Sequence, residues 1–367
     1  MKTIRRLIYT EVLAAVVFVA VGFLALFFFF DFIDEVPSIG KGVTPYRLTQ
    51  AMLYVGSRVP SHLYELLPIA VLIGTIFVMA RLAQSSEYTI LRTSGLGPWR
   101  ALRTLLALGL FFTVATFLIG DYIAPAADRT GQLLKAQFEG RITVGFTGAW
   151  LKERQRYSSF SVNVGSLSPT GNMQAVRIFE SDSRGFLVSI TQAPRARFDD
   201  NAWILEDAER REFAEPAPGQ LAKVEQTHVP RMRWPTEITQ EMVSVALLKP
   251  DRMSTIDLFQ YIDHLKANNQ TSQRYEIEFW RKVFYPLSCL VMVVLALPFA
   301  YLHFRSGGIT GYVFGGVLIG ISFFLLNNVF GYVGNLQNWL PWLTAAAPGL
   351  LYSMLSLAAF SWLVLRR

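Results

Sequence analysis

Apolar and polar positions alternate along this chain on two scales. On the long scale, six apolar stretches lie three on each side of a polar insert. They run approximately through Leu7–Phe30, His62–Ala83, Ala101–Ile123, Trp280–His303, Gly308–Val333 and Trp342–Leu365. A hydrocarbon core about 30 Å thick takes about 20 helical residues to cross, and each stretch is long enough. Lipid offers the backbone no hydrogen bonds, so each crossing segment must satisfy its own, as a helix does. The pattern predicts a membrane α-helical bundle of six transmembrane helices in two halves, residues 1–123 and 273–367, with a domain inserted at 124–272.

On the short scale, the insert alternates at period two from about Ala124. Phe160, Val162 and Val164 point one way, and Ser159, Ser161 and Asn163 the other, as in a half-buried strand. Turn clusters at Ser168–Asn172, Asp182–Gly185 and Asp199–Asn201 separate further candidate strands at Ala175–Phe179, Phe186–Thr191, Arg195–Phe198 and Trp203–Glu206. Short strands at this spacing predict a β-sandwich or jelly roll. Near the end, Ser254 caps a helix with Asp257 three residues on, leading through Phe259, Ile262 and Leu265 back to the membrane. An open edge of such a sheet would accept a strand from another chain; a self-contained domain is the alternative.

Charge adds orientation. The net charge of +7 forms no block that suggests nucleic acid. Short loops on one side carry Lys2, Arg5, Arg6, Arg81, Arg92, Arg100, Arg103, Arg305, Arg366 and Arg367. The opposite loops hold Lys41, Arg47 and Arg58, and Gly334–Pro341 has no charge. This bias predicts cytoplasmic termini and a periplasmic insert, although Arg281 and Lys282 begin the fourth helix on the sparse side. The apolar run after Arg6 is too long for a signal-peptide core, so the first helix is expected to be retained. The single cysteine, Cys289, reads as a small core residue.

Catalytic patterns are missing. There is no G-x-x-x-x-G-K-[ST], H-E-x-x-H or G-x-S-x-G, and the four histidines fall in unrelated segments. No enzyme, cofactor or metal is expected; work must be powered by a partner. The second cytoplasmic segment has features of a docking element. Ser86 suits an N-cap, Glu87 the first turn, Gly95 a left-handed end, and Pro98 the first turn of the next helix. Tyr88 and Leu91 fall on one face of this short helix.

The segment from Ser86 through Tyr88–Arg92 to Gly95 resembles the coupling helix of the LptF/LptG permease family of bacterial lipopolysaccharide export. Further matches are Ile123-Ala124-Pro125, Gly148–Lys152, Ala196–Asp199 with Trp203–Leu205, and Arg274-Tyr275 with Trp280–Ser288. The resemblance spans nearly the whole chain, with details closer to the LptG branch. It implies a non-hydrolytic permease subunit of an ABC-type exporter in the inner membrane, with a β-jelly-roll domain. A homologous LptF-type permease, a cytoplasmic LptB-type ATPase dimer, a jelly-roll bridge protein and a single-span LptC-type protein would be its partners. It also implies that Glu87 meets the ATPase, with Tyr88, Leu91 and Gly95 supporting it. An envelope sensor or scaffold, or the LptF role in the same complex, are the competing readings.

A lipid with an acidic headgroup calls for cations above an apolar wall. Lys41, Arg58, Arg129 and Lys135 are the candidate cations; Phe27, Phe30, Phe324 and Leu325 are candidate wall or gate residues, with core packing or lipid exposure as the alternative. The chain departs from some relatives in carrying Asp31, Asp34 and Glu35 at the end of helix one, and Gln132 at a position where a relative has arginine. The acidic group would bind bridging divalent cations, pair with Lys41 or another permease, or simply be solvated. Gly311, Gly315 or Gly316, and Gly320 suit either fixed internal packing or a sliding contact forming a lateral gate, and Asn327 and Asn328 suit contacts across helices.

Overall fold

The computed structural model describes residues 2–41, 46–139, 148–155, 157–168, 170–199, 202–213, 224–240, 242–243, 250–301 and 309–362. Pro169, Asp200 and Asn201 of the expected turns lie outside these, as do His303, Arg305, Arg366 and Arg367. Among the described residues, six helical segments are long and apolar enough to cross a membrane: Arg5–Ser38, Leu48–Gln84, Pro98–Phe138, Gln273–Tyr301, Thr310–Leu336 and Pro341–Phe360. They coincide in order with the six apolar stretches, but several run further.

Helix α1 spans Lys2–Glu35 and α2 spans Leu48–Gln84. The start of α2 was hidden by Thr49, Gln50, Ser57, Arg58 and Ser61, which lower the hydropathy, yet Ala51 and Val55 are buried at helical spacing. A short α3 (Glu87–Thr93) precedes α4 (Pro98–Leu118), which continues through a wide turn at Ile119–Ile123 into α5 (Ala124–Glu139). Strand alternation therefore begins at Ala149 rather than Ala124. Pro125 accounts for the wide turn, because it has no N–H and its ring clashes with a regular ladder. Ala124 N donates to Ile119 O, five residues back, which frees Gly120 O from the helical ladder.

After the sheet come α6 (Thr255–Ala267), α7 (Gln273–Phe284), α8 (Ser288–Ala296), α9 (Ile309–Leu336) and α10 (Pro341–Phe360). The chain packs as two compact units. One comprises Met1–Asp34, Val55–Asp128 and Gln273–Arg367; the other, Glu35–Tyr54 and Arg129–Ser272. In the helical unit, Val12 and Val16 of α1, Leu105 and Phe112 of α4, and Cys289 and Val293 of α8 share one core. Cys289 is fully buried with its Sγ 3.3 Å from Thr116 Oγ1, a small core residue as expected.

Among the described residues, the other unit holds six antiparallel strands paired in sequence order: β1 (Ala149–Arg154), β2 (Ser158–Leu167), β3 (Met173–Asp182), β4 (Leu187–Asp199), β5 (Ala202–Phe213) and β6 (Val224–Pro235). Val162 and Val164 are fully buried and Phe160 packs on the same core, as the alternation predicts, but Asn163 of the opposite, polar set is buried as well. All six strands contribute to one core around Leu151, Val164, Met173, Trp203, Leu205 and Trp234. The sheet curls on itself: Phe160 of β2 meets Trp234 of β6 at 6.1 Å between ring centroids. Buried Glu153 of β1 accepts hydrogen bonds from Thr236 Oγ1 and Glu237 N beyond β6.

The capping box at the start of α6 forms as expected, with Asp257 N donating to Ser254 Oγ at 3.1 Å and Ser254 N to Asp257 Oδ2 at 3.2 Å. At its other end, Asn268 Oδ1 accepts from Arg154 N at 2.9 Å, fixing α6 to β1. His264 stacks on Tyr261, and burial lowers its pKa although Glu153 and Glu237 pull it up. A lowered pKa means the folded state prefers neutral His264. Its contribution is complete above the unfolded value of about 6.5 and is lost as pH falls towards the lower folded value. Thermal unfolding between pH 7.5 and 5 should show an acid-sensitive component that His264→Phe removes. An unchanged acid profile in that variant would discount His264.

Candidate functional site

The expected helix forms at Glu87–Thr93, with one correction. Ser86 does not act as a side-chain N-cap: it is itself left-handed at φ 62°, and its carbonyl accepts from Thr89 N and Ile90 N at 3.1 and 3.2 Å. The reversal out of α2 uses Ser86 for the turn, so its hydroxyl is not placed to cap. Tyr88 and Leu91 do share one face, and that face is turned towards the bundle. Tyr88 is buried edge-on against Tyr301 at 5.2 Å, and Leu91 packs on the same core. Burial pushes the Tyr88 hydroxyl well above its ordinary pKa, so it stays protonated. Glu87 and Ile90 are exposed, and Arg92 lies over the Tyr301 ring at 5.6 Å.

Gly95 behaves as the sequence implied. Its φ of 99° ends the helix, with Gly95 N donating to Arg92 O and Leu96 N to Leu91 O. Pro98 then opens α4 at its first turn. A buried tyrosine and a left-handed glycine thus hold a two-turn helix with one acidic and one apolar side chain presented outwards.

The candidate headgroup cations are mostly engaged by carboxylates of their own chain. In the helical unit, Arg58 Nη1 lies 2.9 Å from Asp31 Oδ1, and His62 Nε2 lies 2.6 Å from Asp31 Oδ2. In the other unit, Lys135 Nζ lies 2.9 Å from Glu35 Oε2 and 4.7 Å from the Tyr54 ring centroid, while Arg129 pairs with Asp257. Lys41 is exposed. Asp31 and Glu35 at the end of α1 are therefore counter-ions to the basic residues, whereas Asp34 is exposed.

The gate candidates divide between two faces. Phe27 and Phe324 pack with Leu66, Ile69 and Ile73 of α2, and Phe27 lies 5.0 Å from the His62 ring. Phe30 and Leu325 are exposed. Along α9, Gly316 and Gly320 serve fixed internal packing: a Cβ there would meet Ile76 and Ile69 side-chain carbons at 2.7 and 2.8 Å. Gly311 and Gly315 have open space around an added Cβ. Gly316→Leu should therefore destabilise the bundle by about 1–3 kcal/mol, whereas Gly315→Ala should not. Comparative detergent melting temperatures check this, and equal losses in the two variants would undo the division.

Two cations that sequence reasoning treated only as a charge anomaly have definite roles. Lys282 is buried, its Nζ donating at 2.9 Å to the Gly120 carbonyl that the wide turn frees. Arg281 donates to Asn327 O at 2.8 Å, Asn328 Oδ1 at 3.1 Å and Glu278 Oε1 at 3.0 Å. The clue was the pairing of Pro125 with an apolar-span lysine, each of which needs the other's compensation.

Six membrane-competent helices, an inserted antiparallel β-domain and a short surface helix between the second and third spans define a polytopic membrane protein. Residues 6–366 match the family model described as lipopolysaccharide export system permease LptF/LptG, and the chain belongs to that family. It is 25% identical over 340 residues to the lipopolysaccharide export system permease protein LptG of Escherichia coli strain K12, covering 92% of this chain and 90% of that protein. Over 370 residues it is 24% identical to the LptG of Haemophilus influenzae, covering 100% and 99%.

Proposed function

We propose that this protein is the LptG-type permease of a lipopolysaccharide exporter, a transport subunit without chemistry of its own. The family match over nearly the full length carries the reading. Its partners are an LptF-type permease, a cytoplasmic LptB-type ATPase dimer that docks on Glu87 and Ile90, a single-span LptC-type protein and a periplasmic jelly-roll bridge. The exposed faces of α1 and α9, with Gly311 and Gly315 open, suit contact with the second permease or with lipid. Co-purification in mild detergent tests the assembly: an ATPase and a second six-helix permease should be recovered, and neither would be recovered with an isolated sensor.

Both termini are cytoplasmic and the β-domain periplasmic in this reading, as the loop charges suggest. A cysteine placed at exposed Ser183 should react with an impermeant thiol reagent in spheroplasts, with little background from buried Cys289. Labelling only after lysis would reverse the direction of export.

A further inference from the structure

At one end of the helical unit, α7 and α9 face each other across an open cleft of about 370 Å³. Its α7 wall is Arg274, Ile277, Glu278 and Arg281; its α9 wall is Asn328, Gly331, Tyr332 and Asn335. Positions 274 and 281, like 328 and 335, are seven apart, so each pair shares one helix face two turns apart. The polar lining is thus built by helix register. These positions fall in the first turns of the fourth span and the last turns of the fifth, at a membrane–water boundary. Tyr332 in the last turns of α9, Trp339 after it and Trp342 in the first turn of α10 are exposed, as aromatic side chains are at headgroup depth.

The cleft is pre-organised for an anion. Arg281 is held by the Asn327 carbonyl, Asn328 Oδ1 and Glu278 Oε1, which leaves its Nε–H and one Nη1 hydrogen outside these contacts. Asn328, with its oxygen occupied, has its amide hydrogens to offer. Gly331 permits the arrangement: a Cβ there would lie 3.1 Å from Arg281 Nη2. Arg274 is exposed two turns above Arg281 on the same helix face, and the N-terminal end of α7 adds a favourable dipole. Glu278 is the only carboxylate in the lining. Planar guanidinium donors with amides and a phenol suit phosphate oxygens, and exposed Val329 beside them on α9 suits an acyl chain.

We propose that this cleft holds the phosphodiester headgroup of a membrane phospholipid, at a site separate from the exported lipid. Delipidated full-length protein in phospholipid-free detergent should regain bound lipid when given phosphatidylethanolamine or phosphatidylglycerol, read by native mass spectrometry and by a rise in melting temperature. Arg274→Gln, an exposed change that leaves the Arg281 contacts intact, should lower retention on the order of tenfold, the loss of one charge-assisted contact. Gly331→Ala should do the same by displacing the Arg281 guanidinium. Equal retention in wild type and Arg274→Gln, with equal lipid-free melting temperatures, overturns the site. Equal stabilisation by inorganic phosphate alone, or by phosphate-free diacylglycerol, overturns the phospholipid assignment. Stabilisation by lipopolysaccharide with none by phospholipid would make this part of the cargo path and overturn the separation. Failure of the export reading itself would leave the phospholipid result unaffected.

Discussion

Glu87→Ala is expected to leave the chain folded and inserted while abolishing productive coupling to an ATPase. Glu87 is exposed in the first turn of α3, so its loss should leave the melting temperature close to that of the wild type. In an assembled exporter it would be covered, and removing one partner of a buried charged contact costs about 2–5 kcal/mol. Ile90→Asp should act in the same direction, because that side chain is 62% exposed beside Glu87 and would present an apolar contact. Gly95→Val reaches the same end indirectly, since a β-branched residue cannot comfortably adopt φ 99° and the helix end would unwind. Tyr88→Ala differs: it empties a buried aromatic site and should lower stability as well as coupling, by about 3 kcal/mol or more. ATPase co-purification and ATP-driven lipid release in proteoliposomes distinguish these outcomes. Wild-type assembly and release in both Glu87→Ala and Ile90→Asp would remove α3 from the docking surface.

That contrast shows what the sequence could and could not disclose. Gly95 and Pro98 were legible because backbone stereochemistry restricts their use to few places. The pairing of Tyr88 with Leu91 was legible from spacing, but spacing gives a shared face, not its direction; the Tyr301 ring decides that. Likewise, the six spans follow from hydropathy, whereas the extension of α2 to Leu48 does not, because a helix leaving the membrane need not be apolar. In α9 the glycine period marked one close-packed face, and only the positions of Ile69 and Ile76 separate Gly316 and Gly320 from Gly311 and Gly315. Arg281 and Lys282 looked anomalous under a loop-charge rule that ignores what a cation binds. Their acceptors, Asn327 O, Asn328 and Gly120 O, lie far away in the chain.

The same limit applies to the headgroup cations, and it changes how they should be tested. Arg58 and Lys135 were singled out as candidate headgroup cations, yet each is 2.9 Å from a carboxylate of its own unit. Reversing either charge therefore does more than repel a lipid phosphate. Arg58→Glu would face Asp31, and two like charges at about 4 Å repel by about 4 kcal/mol at an effective dielectric of 20. Arg58 and Asp31 are 27% and 12% exposed, so solvent screening should reduce the measured destabilisation to about 1–3 kcal/mol. The double exchange Arg58→Asp with Asp31→Arg restores opposite charges across α1 and α2, and should recover most of that stability. It also moves the cation from α2 to α1. If Arg58 contacts the lipid phosphate directly, the exchange should restore the melting temperature but not photocrosslinking of lipopolysaccharide. If the pair acts only as a strut between helices, both should return together. Asp31→Asn completes the argument from the other side: it leaves Arg58 uncompensated and available, so direct contact predicts stronger lipid crosslinking despite a lower melting temperature. Reduced crosslinking in Asp31→Asn, with full recovery in the exchange, would assign Arg58 to the fold and take it out of the lipid path.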